Sequence, residues 1–324
     1  MYDNNRPCLV IWETTQVGAV LTRDGHTVFH KDRHPLELDT TEAQAMIEQV
    51  ARLQPESFLL SGCDPLARED LVGLIAFATR QGLRVKLSSA VTVRLASTDF
   101  QGLRESGLKQ LTLSLDHADS GAEAARALEI AKKSQVAGLQ LQAHTTFSRQ
   151  NVNQFDALST LIGALRPARW CVFQALPGSA NGAEPLTPEQ SVWLSERIQH
   201  LAGNAGYQIK SAQDQPSWEA RLSPQQDSPE NRAGAGAIMG NGFLFISHVG
   251  GLRPSNFYPI SAGNVRVCEL GEVYARCSEL QRLRRAPACG STNTSARAVA
   301  TDSQKHAQRL RTAPAGLGEE LVPA

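Results

Sequence analysis

Between residue 8 and about residue 203, short apolar runs alternate with stretches of helical periodicity, and that alternation confines the chain to few folds. The apolar runs fall at residues 8–13, 57–62, 84–90, 110–116, 139–146 and 169–177. Between them, Leu71, Leu74, Ile75 and Ala78 recur at helical spacing, as do Phe155, Leu158, Ile162 and Leu165. Thr187-Pro188-Glu189-Gln190 has the pattern of a capping box with proline at the first helical position, and Thr41-Glu42-Ala43-Gln44 offers a second helix start. Six strands separated by helices predict a parallel sheet with crossover helices. The strands are nearly all apolar or become polar toward their C-terminal ends. The expected architecture is therefore α/β: a partial parallel (β/α)6 TIM-like barrel, with its site at those ends. A doubly wound open sheet competes with it, and periodicity does not separate the two.

Beyond residue 203 the composition changes. Residues 213–231 are rich in Gln, Asp, Ser and Pro, and residues 233–240 in Gly and Ala, which reads as a linker or mobile loop. Gly242-Phe243-Leu244-Phe245-Ile246-Ser247 and the Gly250-Gly251 turn suggest a β-hairpin, with a helix from about residue 269 to 284. The tail from residue 286 has little apolar periodicity and is expected to be irregular or disordered. The expected organisation is a barrel over residues 1–210, a linker over 211–240, a small extension over 241–285 and the tail over 286–324.

Lys plus Arg and Asp plus Glu both number 32, so the net charge is zero, and nothing in that balance points to nucleic acid or an anionic membrane. No run approaches the ~20 apolar residues that span a bilayer. Met1-Tyr2-Asp3-Asn4-Asn5-Arg6 is polar with no signal-like apolar region behind it, so the cytoplasm is the expected compartment. Six scattered cysteines (Cys8, Cys63, Cys171, Cys268, Cys277 and Cys289) include no C-x-x-C pair, which indicates neither a zinc knuckle nor a disulfide framework.

Four segments carry a specific resemblance. They are Trp12-Glu13-Thr14-Thr15-Gln16 at the end of the first strand, Ser61-Gly62-Cys63-Asp64-Pro65 after the second, Ser114-Leu115-Asp116 closing the fourth, and Phe245-Ile246-Ser247-His248-Val249-Gly250-Gly251. In this order, over roughly residues 7 to 285, they resemble the radical S-adenosylmethionine (SAM) superfamily. The last segment, with Ser261-Ala262-Gly263-Asn264-Val265-Arg266, is similar to the start of a SPASM extension of the haem-maturation or peptide-modifying type. The resemblance implies a [4Fe-4S] cluster and S-adenosylmethionine, which is cleaved to a 5′-deoxyadenosyl radical. It also implies that Ser61, Gly62, Asp64, Ser114 and Asp116 contact the cosubstrate, and that the substrate is a small molecule, a tetrapyrrole or a peptide.

The sequence departs from that pattern at its reactive centre. The family's three cluster cysteines fall at Gly18, Thr22 and Gly25, none of which supplies a thiolate. Cys63 replaces the second glycine of the Gly-Gly turn, and only Cys289-Gly290 remains of a cysteine-rich extension, so auxiliary clusters are not supported either. Family-like sequence stops at Gln16, resumes near Arg33-His34-Pro35 at preserved length, and stops again near Arg285, the pattern that paired frameshifts leave. The polypeptide as written is expected to be inactive in radical chemistry.

Other candidates are weaker. His26, His30 and His34 are spaced i, i+4, i+8, yet Gly25, Pro35 and the lack of an amphipathic pattern argue against a helix and against a metal site. Cys63 reads as a half-buried structural thiol and Cys171 as core; Glu13 and Asp116 at strand ends read either as polar site groups or as caps of the following loops, and the order of motifs favours the site. No catalytic residue and no metal ligand is assigned. Two other functional classes stand beside the first: a cluster-free binding module, and an unrelated α/β-barrel or Rossmann-like enzyme. The absence of G-x-G-x-x-G and Walker patterns counts against nucleotide-binding versions of the last.

Overall fold

The computed structural model describes residues 6–21, 27–117, 121–175, 183–211, 243–254, 261–277 and 280–281. Apart from Ser211, the expected linker lies outside the described residues, as do the tail and positions 22, 25 and 26.

The first strand, β1 (Leu9–Glu13), is followed by an antiparallel hairpin of β2 (Gly18–Leu21) and β3 (Thr27–His30). The crossover α1 (Thr40–Leu53) then leads to β4 (Ser57–Ser61). Next come α2 (Leu71–Arg80), β5 (Val85–Ala90), the short helices α3 (Val93–Ala96) and α4 (Phe100–Glu105), and β6 (Gln110–Ser114). The alternation continues with α5 (Gly121–Val136), β7 (Gln140–Phe147), α6 (Phe155–Leu165), β8 (Arg169–Gln174), α7 (Pro188–Ala202) and β9 (Gln208–Ser211). The remaining elements are β10 (Phe243–Ile246), β11 (Gly251–Arg253), β12 (Gly263–Asn264) and α8 (Leu270–Arg276).

The six expected strands are β1, β4, β5, β6, β7 and β8, and they lie side by side and parallel. Two further parallel strands flank them, β9 beside β8 and β10 beside β1, with β11 and β12 added antiparallel. The sheet has two ends and does not close. The hairpin expected around Gly250-Gly251 forms from β10 and β11, and its first strand is also a member of the parallel sheet.

One helix start differs from expectation. The cap of α1 is Asp39, whose carboxylate accepts from the Glu42 backbone N–H while the Glu42 side chain accepts from the Asp39 N–H. The box therefore begins two residues before Thr41, because Asp39 holds the extended backbone a cap requires. At α7 the expected box forms between Thr187 and Gln190, with Pro188 at the first turn.

Residue parity sorts the side chains between the two faces of the sheet. Val10, Trp12, Phe58, Leu60, Leu87, Leu113, Ala143 and Trp170 join the main core with Leu74 and Ile75 of α2, Ile130 of α5 and Leu158 and Ile162 of α6. Trp12 is fully buried, and truncating such a ring to alanine costs about 3–5 kcal/mol. Leu9, Leu59 and Phe243, with Ile11, form a separate cluster on the concave face. The sheet thus has a helix-covered back and a concave front, and the C-terminal ends of its strands share one rim.

Candidate functional site

At that rim the segments after β1 and β4 are stitched together. Thr14 donates from its backbone N–H to the Ser61 carbonyl (2.7 Å) and from its hydroxyl to the same oxygen (2.9 Å). The Cys63 N–H donates to the Thr15 carbonyl at 3.4 Å. Gly62 sits at φ +142°, and a Cβ there would fall 2.6 Å from the Thr15 carbonyl oxygen, so glycine is required for the turn to lie this close.

The candidate residues fall into two groups. Ser61, Gly62 and Asp64 belong to the turn after β4. Ser61 donates to the Trp12 carbonyl (3.3 Å), and one Asp64 carboxylate oxygen pairs with Arg94 Nε at 3.1 Å. The other Asp64 oxygen is buried with no hydrogen-bond partner. Ser114 ends β6 and Asp116 follows two residues later, separated from that turn by β5, hence by two strand spacings or about 10 Å. Ser114 stands level with Ala90 and His144. Asp116 accepts from the Thr146 N–H at 2.7 Å, and Asn151 clamps the Asp116 and Thr146 carbonyls at 2.6 and 2.9 Å. Burial raises the Asp116 pKa, and the Thr146 hydrogen bond offsets that only in part. In this structure Asp116 ties β6 to β7.

A buried polar network, not anticipated from the sequence, supports the rim from behind. Arg68, 2% exposed, donates to the carbonyls of Thr14 (3.2 Å) and Leu38 (2.9 Å), to Glu37 (3.3 Å) and twice to Asp70 (2.9 and 2.7 Å). Its guanidinium lies 5.2 Å from the centre of the Trp12 ring. Glu37 also accepts from Thr15 Oγ1 and Arg33, both at 2.8 Å. Burial works against the charge on Asp70, but hydrogen bonds from Arg68 and Thr40 outweigh it and hold its pKa below the ordinary value. The only sequence trace of this network is the i, i+4 pair Arg33–Glu37, which looks like a surface feature until its buried partner is known.

Beside this network, Glu13 Oε2 lies 2.8 Å from His248 Nδ1, and the His34 ring meets His248 edge-on at 5.3 Å. The Cys63 thiol is pushed up to about 11 by burial and by the Glu13 and Asp64 carboxylates, so it stays protonated at neutral pH. His30 lies on β3, so the histidine series does not share one helical face. Among the described residues, no group of three or more His, Cys, Asp or Glu side chains is placed to hold a metal ion.

The comparisons give this frame a lineage. No family model matches the chain. The AdoMet-dependent heme synthase of Oleidesulfovibrio alaskensis is 28% identical over 307 residues, covering 87% of this chain and 78% of the relative. The AdoMet-dependent heme synthase of Methanosarcina barkeri is 26% identical over 302 residues, covering 86% of this chain and 85% of the relative. These relatives support a place for the chain in the radical SAM superfamily. Among solved structures, Streptococcus suis SuiB bound to S-adenosylmethionine shares the fold at a TM-score of 0.62 with 12% identity, covering 87% of this chain and 68% of SuiB. SuiB bound to precursor peptide SuiA gives 0.63, over 90% of this chain and 69% of SuiB. The open parallel sheet is thus the radical SAM partial barrel. Among the described residues, no helix is long and apolar enough to cross a membrane.

A radical SAM [4Fe-4S] cluster does not fit the residues present. The three positions that the family resemblance assigns to cluster ligands, 18, 22 and 25, hold glycine, threonine and glycine, which offer no thiolate. At the first of them, Gly18 has φ +125°, and a Cβ there would fall 3.0 Å from Cys63 Cβ and 3.3 Å from Asp64 N. The backbone of β2 lies against the turn after β4, where a ligand side chain would need room.

Proposed function

We propose that this radical SAM protein is a cluster-free binding protein. It holds a small-molecule, tetrapyrrole or peptide ligand in its open barrel and does not reductively cleave S-adenosylmethionine. One observation carries the reading: Gly18 packs its backbone onto the Cys63-Asp64 turn, in a conformation that disfavours any side chain. The absence of thiolates at positions 18, 22 and 25 supports the same conclusion. The ligand class is suggested by relatives, two named AdoMet-dependent heme synthases and SuiB solved with the precursor peptide SuiA. The pairing of β2 with β3 supports residues 18–21 and 27–30 as folded strands rather than frame debris. The expected compartment is the cytoplasm.

S-adenosylmethionine itself would rest on contacts from Gly62, Asp64 and Asp116, and hydrogen bonds of this kind net only ~0.5–1.5 kcal/mol each. Weak binding or none is the expectation. The test is anaerobic incubation of the full chain with S-adenosylmethionine and dithionite, followed by chromatography. No 5′-deoxyadenosine above a protein-free control is expected, and its formation would overturn the proposal.

A further inference from the structure

The concave face of the barrel is not uniform. Over β10, β1 and β4 it is filled by Leu9, Leu59 and Phe243. Over β5 to β9 a polar row crosses it, in which Ser88, Thr112, Gln142, Arg169 and Gln208 stand side by side on five strands. Their chain neighbours Leu87, Leu111, Leu141 and Trp170 join the helix-side core, so alternation puts the row on the opposite face.

At the N-terminal ends of β7, β8 and β9 this row borders a cavity of about 640 Å³, with Gln140, Gln142, Tyr207 and Gln208 in its lining. Gln142 is 3% exposed, and its side-chain oxygen is buried with no hydrogen-bond partner among the described residues. An acceptor left unmet in this way is costly, and a ligand that donates to it removes the cost. A half-turn of the amide exchanges its oxygen and NH2 without changing the outline of the side chain. The complement of Gln142 must therefore offer a donor and an acceptor together.

Charge points to a neutral ligand. The Nε–Nη2 edge of Arg169, which could grip a carboxylate, is already engaged by Gln208 Oε1 at 3.4 and 3.2 Å. Strands β7 to β9 hold no Asp or Glu to receive a cation. In the next row, burial together with the fields of Lys86 and Arg169 lowers the His144 pKa to about 4, and the same fields repel a cationic ligand. Tyr207 is half-buried, and burial raises its pKa, so it stays a neutral phenol and a donor.

We propose that this cavity binds a neutral primary carboxamide, paired with the Gln142 amide and assisted by the Tyr207 hydroxyl. A primary amide carries an N–H on the same side as its C=O, so two such groups exchange a pair of hydrogen bonds. A trans peptide group has its N–H on the opposite side and cannot do so. The site lies at the other end of the barrel from the Gly62 turn and stands whether or not that turn holds a ligand.

The test is an NMR titration of the full chain with benzamide and three molecules of similar shape: benzoate, benzamidinium and N-methylbenzamide. Saturable benzamide binding is expected, with each of the other three at least about threefold weaker. Benzamide affinity should fall at least about tenfold in Gln142→Leu and about threefold in Tyr207→Phe. It should be unchanged in Gln101→Ala, at an exposed position of α4. Gln142→Leu removes a buried oxygen that has no partner and is expected to fold; if it does not, Tyr207→Phe decides alone. No saturable binding, equal benzamide affinity in wild type and these two site variants, or equal or tighter binding of any of the other three probes would each overturn the assignment.

Discussion

Gly18 rests on Cys63: a methyl group at position 18 would come within 3.0 Å of the Cys63 Cβ. The two residues belong to the segments that follow β1 and β4, which are also joined by the hydrogen bonds of Thr14 and Thr15. That contact places backbone where a cluster ligand would project. It also constrains any attempt to restore the missing cysteines.

Gly18→Cys or Gly18→Ala is expected to destabilise the fold by about 1–3 kcal/mol, since each forces a side chain onto a left-handed backbone against a packed neighbour. Urea denaturation measures it. A variant as stable as wild type would mean that β2 shifts freely away from the turn.

Gly62→Ala should be more damaging, about 2–4 kcal/mol, because its Cβ would meet a carbonyl oxygen at 2.6 Å and the strain adds to the clash. The turn would separate from Thr15, and amide exchange at Thr14 and Cys63 should quicken. Unchanged protection at both amides would contradict this account of the turn.

Arg68→Met is expected to cost about 3–5 kcal/mol, because it leaves buried Glu37 with only the half-exposed Arg33 as cation and half-buried Asp70 without its partner. Adding Glu37→Gln to that variant should recover part of the loss. Additive losses in denaturant melts would show that the three groups are not one network.

His144 makes stability depend on pH. Its folded pKa, about 4, lies below the ordinary 6.5, so the unfolded chain binds the proton more readily. The stabilisation is complete above pH ~6.5, declines as pH falls and is lost through about 4, to a total of at most about 3 kcal/mol. Asp116, whose pKa is raised, contributes with the opposite sign. The comparison is therefore between wild type and His144→Gln, whose stability should fall less steeply across that window. Identical slopes would refute the effect.

The alternation of strands and helices was legible because each crossover helix must turn one apolar stripe to the sheet, as Leu74, Ile75 and Ala78 do. The Gly62 turn was legible through its resemblance to the family's Gly-Gly-Glu/Asp-Pro turn, where glycine permits a close backbone approach. What stayed hidden were contacts between segments far apart in the chain. Its pairing with Asp70, two residues on, does not mark Arg68 as buried; the partners that enclose it are the distant Thr14, Glu37 and Leu38. Phe243–Ile246 reads as the arm of a hairpin, and only the folded sheet shows it parallel to β1. The polar row on β5 to β9 was likewise unreadable, because Gln142 and Arg169 are neighbours by register and not by sequence.

The most direct test of the central claim is iron and acid-labile sulfide analysis after anaerobic reconstitution of the full chain. With Gly18, Thr22 and Gly25 at the positions that the family resemblance assigns to ligands, only substoichiometric, adventitious iron is expected, with no iron–sulfur absorbance. A stoichiometric, oxygen-sensitive [4Fe-4S] cluster that survives gel filtration would contradict the account.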